Sequence, residues 1–272
     1  MHARGSQGRP VYEVSILSSR FRCGWRKLCP FAPGCERGAY GLEECATQHH
    51  YTVLISDLHD EPAREEASIN LLLNQRVEGI IYAGFGEAAK RLEALQGEGV
   101  PVVVVDKPLD SPSLSSVLID NRASVFTALR HLKALGYEDL VFINGLAINR
   151  NAQLRTEAFR DFLNRHGMPQ APDQVLFGDY TLQHGFQATR RILQEKRPCR
   201  AIFCGDDTIA FGVMAALKAA GRRIPEDVAV LGFDNDPLAQ VMDPPLPSLR
   251  RSGWRPGVKH ALCESPLAPV AR

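Results

Sequence analysis

Aspartates stand at or just after the ends of three apolar runs in this sequence. They are Asp106, the neighbours Asp206 and Asp207, and Asp234. A carboxylate accepts hydrogen bonds in pairs, and the vicinal hydroxyls of a sugar or the ring nitrogens of a base can donate them. Aspartate is also a favoured N-cap of the helix after a strand, and we assign that role to Asp207, directly before a predicted helix at 208–220. Asp106, Asp206 and Asp234 are therefore the candidate ligand-binding carboxylates.

The elements that must position these carboxylates are short apolar runs that alternate with amphipathic segments. Candidate strands are residues 52–56, 78–83, 100–106, 116–119, 140–144, 174–177, 201–204 and 228–233. Candidate helices are residues 62–74, 88–97, 123–135, 154–166, 184–195 and 208–220. Most of the strands are continuously apolar, as expected where helices cover both faces of a parallel sheet. The alternation predicts an α/β fold with two lobes, each a parallel sheet flanked by helices, and ligands of such sheets bind beyond the carboxyl ends of strands.

The 272 residues carry a net charge of +1, but basic residues collect at both ends of the chain. Residues 1–37 contribute +5 and residues 250–272 contribute +4, which leaves −8 for residues 38–249. An acidic body of this kind is disfavoured as a binding surface for the phosphate backbone of nucleic acid. No apolar run is long enough to cross a bilayer and no secretory leader is recognisable, so we predict a cytoplasmic protein without a membrane partner.

The seven cysteines do not indicate a disulfide framework or a metal site. Their number is odd, and Cys23, Cys29 and Cys35 lack the paired C-x-x-C spacing of structural zinc sites. The sequence also lacks the glycine motifs of dinucleotide and P-loop sites and the motif of a nucleophilic serine. We therefore predict no metal, no cofactor and no enzymatic activity.

Several short segments occur in an order and spacing that are specific only in combination. They include VVVVDKPL at 102–109, HLKALGY at 131–137, IFCGDDTIAFG at 202–212 and RIPEDVAVLGFDN at 223–235. Over residues 37–249 the sequence resembles the LacI/GalR family of bacterial transcriptional repressors. The resemblance implies a two-lobed fold like that of periplasmic sugar-binding proteins, with a small effector in the cleft between the lobes.

The resemblance also implies which residues contact the effector. The candidate set is Asp106, Asn149, Asn151, Arg155, Tyr180, Asp206 and Asp234. A guanidinium, several carboxylates and one aromatic face suit a polyhydroxylated ring, so we expect a sugar or a sugar acid, with a purine as the alternative. Two other interpretations stay open. Arg155 could be a solvated cation at a helix end, and Tyr180 could belong to the ordinary packing of the core.

The two ends of the chain depart from the family pattern. We expect an aberrant, poorly structured segment at 1–36, a first lobe at 37–121, a second lobe at 122–249 and an aberrant tail at 250–272. The DNA-reading helix-turn-helix of the family is not recognisable in the first segment. For both ends, frame-shifted or decayed coding and a divergent loop and tail are the open interpretations.

These observations predict the ligand-sensing and dimerising core of a sugar-responsive regulator of LacI/GalR type. We expect a homodimer that binds a small effector, with operator DNA bound only by relatives that carry a headpiece. The alternatives are a sugar-binding solute receptor of the same fold and a nonfunctional fragment of a disrupted repressor gene.

Overall fold

The computed structural model describes residues 12–18, 42, 46–47, 50–57, 62–83, 89–106, 111, 113–250 and 262–263. The chain divides into two compact units, and the described part passes from one to the other between Leu118 and Ile119. The sequence-based boundary between residues 121 and 122 lies three residues further along. No helix in these ranges is long and apolar enough to cross a membrane.

The first unit contains a parallel sheet with the strand order β2-β1-β3-β4-β5. Its strands are β1 (Tyr12–Ser18), β2 (Tyr51–Asp57), β3 (Gly79–Ala83), β4 (Val102–Val105) and β5 (Ser115–Val117). Its helices are α1 (Pro62–Asn74) and α2 (Ala89–Gly97). The buried core of this unit includes Ile69, Leu72, Ile80, Tyr82, Leu92 and Val104.

Strand β1 is absent from the strands that the sequence analysis predicted. It belongs to the segment 1–36, which we expected to be poorly structured, yet it pairs with β2 on one side and β3 on the other. Polar Glu13 and Ser15 interrupt its apolar residues, so it lacks the continuous apolar pattern that marked the other strands. The rest of the segment lies outside the described residues.

The second unit contains a sheet with the strand order β11-β10-β9-β8-β6-β7, parallel except where β11 meets β10. Its strands are β6 (Leu140–Asn144), β7 (Val175–Phe177), β8 (Ala201–Cys204), β9 (Ala229–Phe233), β10 (Ser248–Leu249) and β11 (Leu262–Cys263). Its helices are α3 (Asn121–Ala134), α4 (Arg150–Arg165), α5 (Leu182–Gln194) and α6 (Asp207–Ala219), and a 3-10 helix covers Pro237–Gln240. Apart from β11, the predicted tail beyond Arg250 lies outside the described residues.

Helices cover both faces of the second sheet. Every residue of β6, β8 and β9 is buried. One core cluster joins the sheet to α3 and α4 through residues such as Leu129 and Phe159, and another joins it to α5 and α6 through Ile192 and Val213. The prediction of an α/β fold with parallel sheets flanked by helices is confirmed. The sequence pattern was informative because strands that are buried on both faces have mostly apolar side chains.

Candidate functional site

Parallel strands bring the predicted residues of the second unit to one edge of its sheet. Strands β6, β7, β8 and β9 run in the same direction, so the segments that follow them lie at the carboxyl edge. Tyr180 follows β7, Asp206 follows β8 and Asp234 follows β9 directly. All three are half-buried. This edge is therefore the candidate ligand site of the second unit.

Asp234 has an unusual backbone conformation. Its φ is 110°, and the next residue, Asn235, has a φ of 56°. The Asp234 N–H donates to the carbonyl of Leu249 at 2.9 Å. A φ of 110° lies outside the small left-handed region that non-glycine residues tolerate, so the surrounding structure must hold it. Strained residues of this kind cluster at binding sites, which makes the turn after β9 the most distinctive feature of the edge.

Asp106 occupies the matching position in the first unit. It directly follows β4, is half-buried and has a φ of 56°. Its N–H donates to the carbonyl of Val117 at 2.9 Å, as the N–H of Asp234 does to the carbonyl of Leu249. Two of the aspartates chosen from the sequence, Asp106 and Asp234, thus directly follow a parallel strand, and both have a positive φ.

The structure gives the predicted N-cap role of Asp207 to Asp206 instead. Asp206 is the N-cap of α6, and its Oδ1 accepts the N–H of Thr208 at 2.6 Å. Asp207 is the first residue of α6 and is only 2% exposed. The assignment of Asp207 as the cap was wrong because α6 begins one residue earlier than predicted. A ligand contact of Asp206 stays a prediction, and one of its oxygens already serves the cap.

Arg155 is 1% exposed and is held on several sides. Its Nε donates to Oδ1 of Asn121 at 2.8 Å, and its Nη1 donates to the carbonyl of Gly205 at 2.6 Å. The guanidinium carbon lies 4.0 Å from the ring centroid of Phe233. The interpretation of Arg155 as a solvated cation is therefore wrong. Arg155 connects α4 to the ends of β8 and β9, the two strands that lead to Asp206 and Asp234.

Asn149 and Asn151 hold the start of α4. Oδ1 of Asn149 accepts the N–H groups of Asn151 at 2.8 Å and Ala152 at 3.3 Å, which makes Asn149 the N-cap. Oδ1 of Asn151 accepts a hydrogen bond from Nδ2 of Asn121 at 2.9 Å. Both side chains are buried and engaged in these structural contacts, so their predicted contact with a ligand remains a prediction.

Tyr180 packs its ring against the backbone of Gly145, which follows β6. A Cβ at Gly145 would overlap the Tyr180 ring, so any other residue there would displace the tyrosine. The Tyr180 side chain also packs against the core cluster on the α5 side of the sheet. Core packing therefore accounts for part of its position, and its role as a platform for a ligand ring stays a prediction.

Two residues of this edge were missed by the sequence analysis. Nδ2 of Asn144 donates to the carbonyl of Ala152 at 2.8 Å and to Oγ1 of Thr156 at 3.0 Å. The His184 ring stands against Gly178, and its Nε2 lies 3.1 Å from the carbonyl oxygen of Asn144. Asn144 ends an apolar run, so the rule that selected the aspartates would have found it if amides had been included. His184 carries no such signal.

A family model matches most of the chain. The model of periplasmic binding proteins and the sugar-binding domain of the LacI family matches residues 35–249. The chain belongs to this family. The resemblance inferred from the sequence is confirmed, and the family model and that resemblance both end at residue 249.

Individual relatives agree with the family model. The chain is 29% identical to catabolite control protein A of Priestia megaterium over 212 residues and to the repressor CytR of Escherichia coli K12 over 217 residues. These matches cover 78% and 80% of the chain and 64% of each relative. The chain thus spans less than two thirds of the length of these LacI-family relatives.

Solved structures of the LacI family share the fold. A LacI-family regulator from Lactobacillus casei with bound sucrose is 25% identical with a TM-score of 0.77, and the match covers 94% of this chain and 99% of that one. The transcription regulator CcpA of Lactococcus lactis also has a TM-score of 0.77, at 20% identity, with 89% and 86% of the two chains covered.

The thiols of half-buried Cys199 and buried Cys204 in this LacI-family chain are unreactive. Burial raises the pKa of Cys199 to about 12, and burial also raises the pKa of Cys204. Such thiols stay protonated and are poor nucleophiles. Groups of three or more side chains able to hold a metal are absent from the described ranges. Cys23, Cys29 and Cys35, considered above for zinc, lie outside them.

His184 is expected to make the stability of this LacI-family chain depend on pH. Burial lowers the pKa of His184 below its ordinary value, against a smaller opposing effect of the Asn144 carbonyl. The unfolded chain, with a histidine pKa of about 6.5, then binds more protons than the folded chain, so stability falls as pH decreases through this value. In His184→Gln, the free energy of unfolding should fall less between about pH 7.5 and about pH 5.5.

Urea unfolding at the two pH values measures this difference. Burial also lowers the pKa of His131, and that contribution is common to both proteins, as is the opposite contribution of Asp207. The two proteins should therefore differ only by the His184 contribution. Equal pH dependence of His184→Gln and the wild-type chain would contradict the assignment.

Proposed function

We propose that this chain binds a small sugar-like effector at the carboxyl edge of the second sheet and is the sensing core of a sugar-responsive transcriptional regulator. The observation that carries the proposal is the strained turn at Asp234, which holds a half-buried carboxylate at the end of β9. Asp206 and Tyr180 follow neighbouring strands at the same edge. Asp106, with its matching backbone in the first unit, is the further carboxylate that we assign to effector binding.

The chemistry of these groups favours a polyhydroxylated ring. Carboxylates accept the paired hydrogen bonds that vicinal hydroxyls donate, and an aromatic face covers the apolar side of a sugar ring. Arg155 supports the site from within, because it fixes the carbonyl of Gly205 next to Asp206 and covers the ring of Phe233 next to Asp234. Regulators of the same family from Lactobacillus casei contain bound sucrose and bound glucose.

Regulation would follow from a difference in effector affinity between two states of the protein. An effector shifts an equilibrium only by the amount that it binds one state better than the other. In relatives that carry a DNA-reading headpiece, such a shift would alter operator affinity. The chain's own contribution is then recognition of the effector, without a chemical reaction.

We also propose that the chain forms a homodimer. Large apolar side chains are exposed on the second unit, among them Ile148 at 87%, Leu182 at 49% and Val241 at 76%. Contact with a second copy of the chain would remove such side chains from water, and burial of apolar surface favours association. Sedimentation equilibrium should therefore give twice the mass of the chain, and a monomer at all concentrations would contradict the proposal.

A thermal-shift screen tests the proposed class of effector. The screen uses glucose, ribose, gluconate and adenine at millimolar concentrations, since a ligand that binds only the folded state raises Tm by mass action. A rise in Tm with glucose, ribose or gluconate is expected. A rise with adenine alone would contradict the sugar class, and no rise with any of them would contradict the proposed function.

Asp234→Ala is expected to weaken binding of the best sugar by about 10- to 100-fold, which corresponds to about 1–3 kcal/mol for a lost charged hydrogen bond. Isothermal titration calorimetry measures the change. Asp243→Ala is the matched control, because the Asp243 side chain is fully exposed in the same unit and should bind the sugar like the wild-type chain. Unchanged affinity in Asp234→Ala would exclude Asp234 from the site.

A further inference from the structure

The buried carboxylate of Asp207 makes its hydrogen bonds to the segments around the Asp234 turn. Its Oδ2 accepts the N–H of Asp236 at 2.6 Å, and its Oδ1 accepts the hydroxyl of Ser248 at 2.6 Å. A Cβ at Gly232 would lie well under 3.0 Å from Oδ1, so the backbone of β9 approaches the carboxylate as only glycine permits. Asp207 thus joins the start of α6 to the turn after β9 and to β10.

The hydrogen bonds form a continuous chain through the turn. The N–H of Asn235 donates to Oγ of Ser248 at 2.9 Å, and the Ser248 hydroxyl donates in turn to Asp207. Together with the bond from the N–H of Asp236, this chain holds the two residues that follow Asp234. Each oxygen of the Asp207 carboxylate faces a donor, so the ionised form of Asp207 can accept both of these hydrogen bonds.

A buried carboxylate is costly to retain. Burial raises the pKa of Asp207 well above its ordinary value, and the nearby carboxylates of Asp206 and Asp234 act in the same direction. A charge at this position therefore opposes stability through desolvation, while the two hydrogen bonds of the Asp207 side chain favour one geometry of the turn. The φ of 110° at Asp234 is strained and needs such external support.

We propose that Asp207 is a positioning residue that orients the Asp234 carboxylate for the effector by fixing the turn at 234–236. The proposal rests on the proposed function, because Asp234 has to be a ligand-binding group for its orientation to affect affinity. Asp207 itself acts from the buried side, through Ser248 and the backbone N–H of Asp236.

The first test needs no ligand. In Asp207→Asn, one amide nitrogen replaces an acceptor oxygen, so exchange of the Asn235 and Asp236 amide hydrogens should become about tenfold faster by NMR. The amide of Ala123, capped by Asp120 in the same unit, is the internal control and should not change. Ser248→Ala removes only the bridging hydroxyl and should accelerate exchange at Asn235, which keeps the test available if Asp207→Asn does not fold. Unchanged exchange at both amides would overturn the proposal.

The second test is a double-mutant cycle for glucose affinity, measured by calorimetry. Asp207→Asn should weaken glucose binding about tenfold in the wild-type background and less than about twofold in the Asp234→Asn background, because coupled residues are not additive. Combined with Asp106→Asn in the other unit, its effect should be additive. Equal effects of Asp207→Asn in the wild-type and Asp234→Asn backgrounds would overturn the proposal. If glucose does not bind but ribose or gluconate does, the cycle uses that ligand. If none of the three binds, that result counts against the proposed function, and amide exchange alone decides whether Asp207 holds the turn.

Discussion

Replacement of Arg155 by alanine is expected to lower the free energy of unfolding of the second unit by about 3–5 kcal/mol, from two buried acceptors that lose their donor and from the cavity that forms. The guanidinium is 1% exposed and donates to Oδ1 of Asn121 and to the carbonyl of Gly205. Its removal leaves both acceptors buried without this donor, and it opens a cavity above the ring of Phe233. Each of these changes is destabilising by itself.

Urea unfolding followed by circular dichroism measures the loss for Arg155→Ala. Arg150→Ala is the matched control on the same helix, because the Arg150 side chain is 53% exposed and its ion pair with Glu157 lies at the surface. Such exposed pairs contribute less than about 1 kcal/mol. Equal losses in the two variants would contradict the structural role of Arg155.

Phe233→Ala is the second substitution with a large expected effect, a loss of about 3–5 kcal/mol of stability. The Phe233 ring is fully buried, lies under the Arg155 guanidinium and stands 6.5 Å from the ring of Phe203. Because Phe233 directly precedes Asp234, the same change should also disturb the turn that presents the carboxylate. The equilibrium unfolding curve in urea gives the stability, and calorimetry with the best sugar gives the affinity.

Phe233→Leu separates packing volume from the contact with the guanidinium. Leucine retains most of the apolar volume and should cost less than about 1.5 kcal/mol from repacking, plus about 0.5–2 kcal/mol for the lost cation–π contact. The free energy of unfolding of Phe233→Leu should therefore lie between that of the wild-type chain and that of Phe233→Ala. A loss as large as that of Phe233→Ala would contradict the importance of volume at this position.

Local sequence patterns predicted the strands β6, β7, β8 and β9 of the second unit, and they missed the two-residue strands β10 and β11. Strands β6 and β9 are apolar along almost their whole length because helices cover them on both faces, and this pattern is visible without a structure. Strand β1 was not predicted because polar residues interrupt its apolar pattern and basic segments lie on both sides of it in the sequence. The start of α6 was misplaced by one residue because either of the adjacent aspartates, Asp206 or Asp207, is a good N-cap.

The candidate site was predicted only where it depends on local sequence. Polar residues at strand ends identified Asp106, Asp206 and Asp234, since the carboxyl edge of a parallel sheet follows from the strand order itself. The hydrogen bonds of Asp207 and Arg155 that support these strand ends could not be predicted. Ser248 is 41 residues from Asp207, and Gly205 is 50 residues from Arg155. Those contacts arise from the packing of distant segments, and one sequence carries no signal for them.

A crystal structure of the chain with the best sugar of the thermal-shift screen tests the central claim most directly. The account predicts that sugar hydroxyls lie within hydrogen-bond distance of the Asp234 carboxylate, at the carboxyl edge of the second sheet. A sugar bound elsewhere on the chain, with this edge empty, would contradict it.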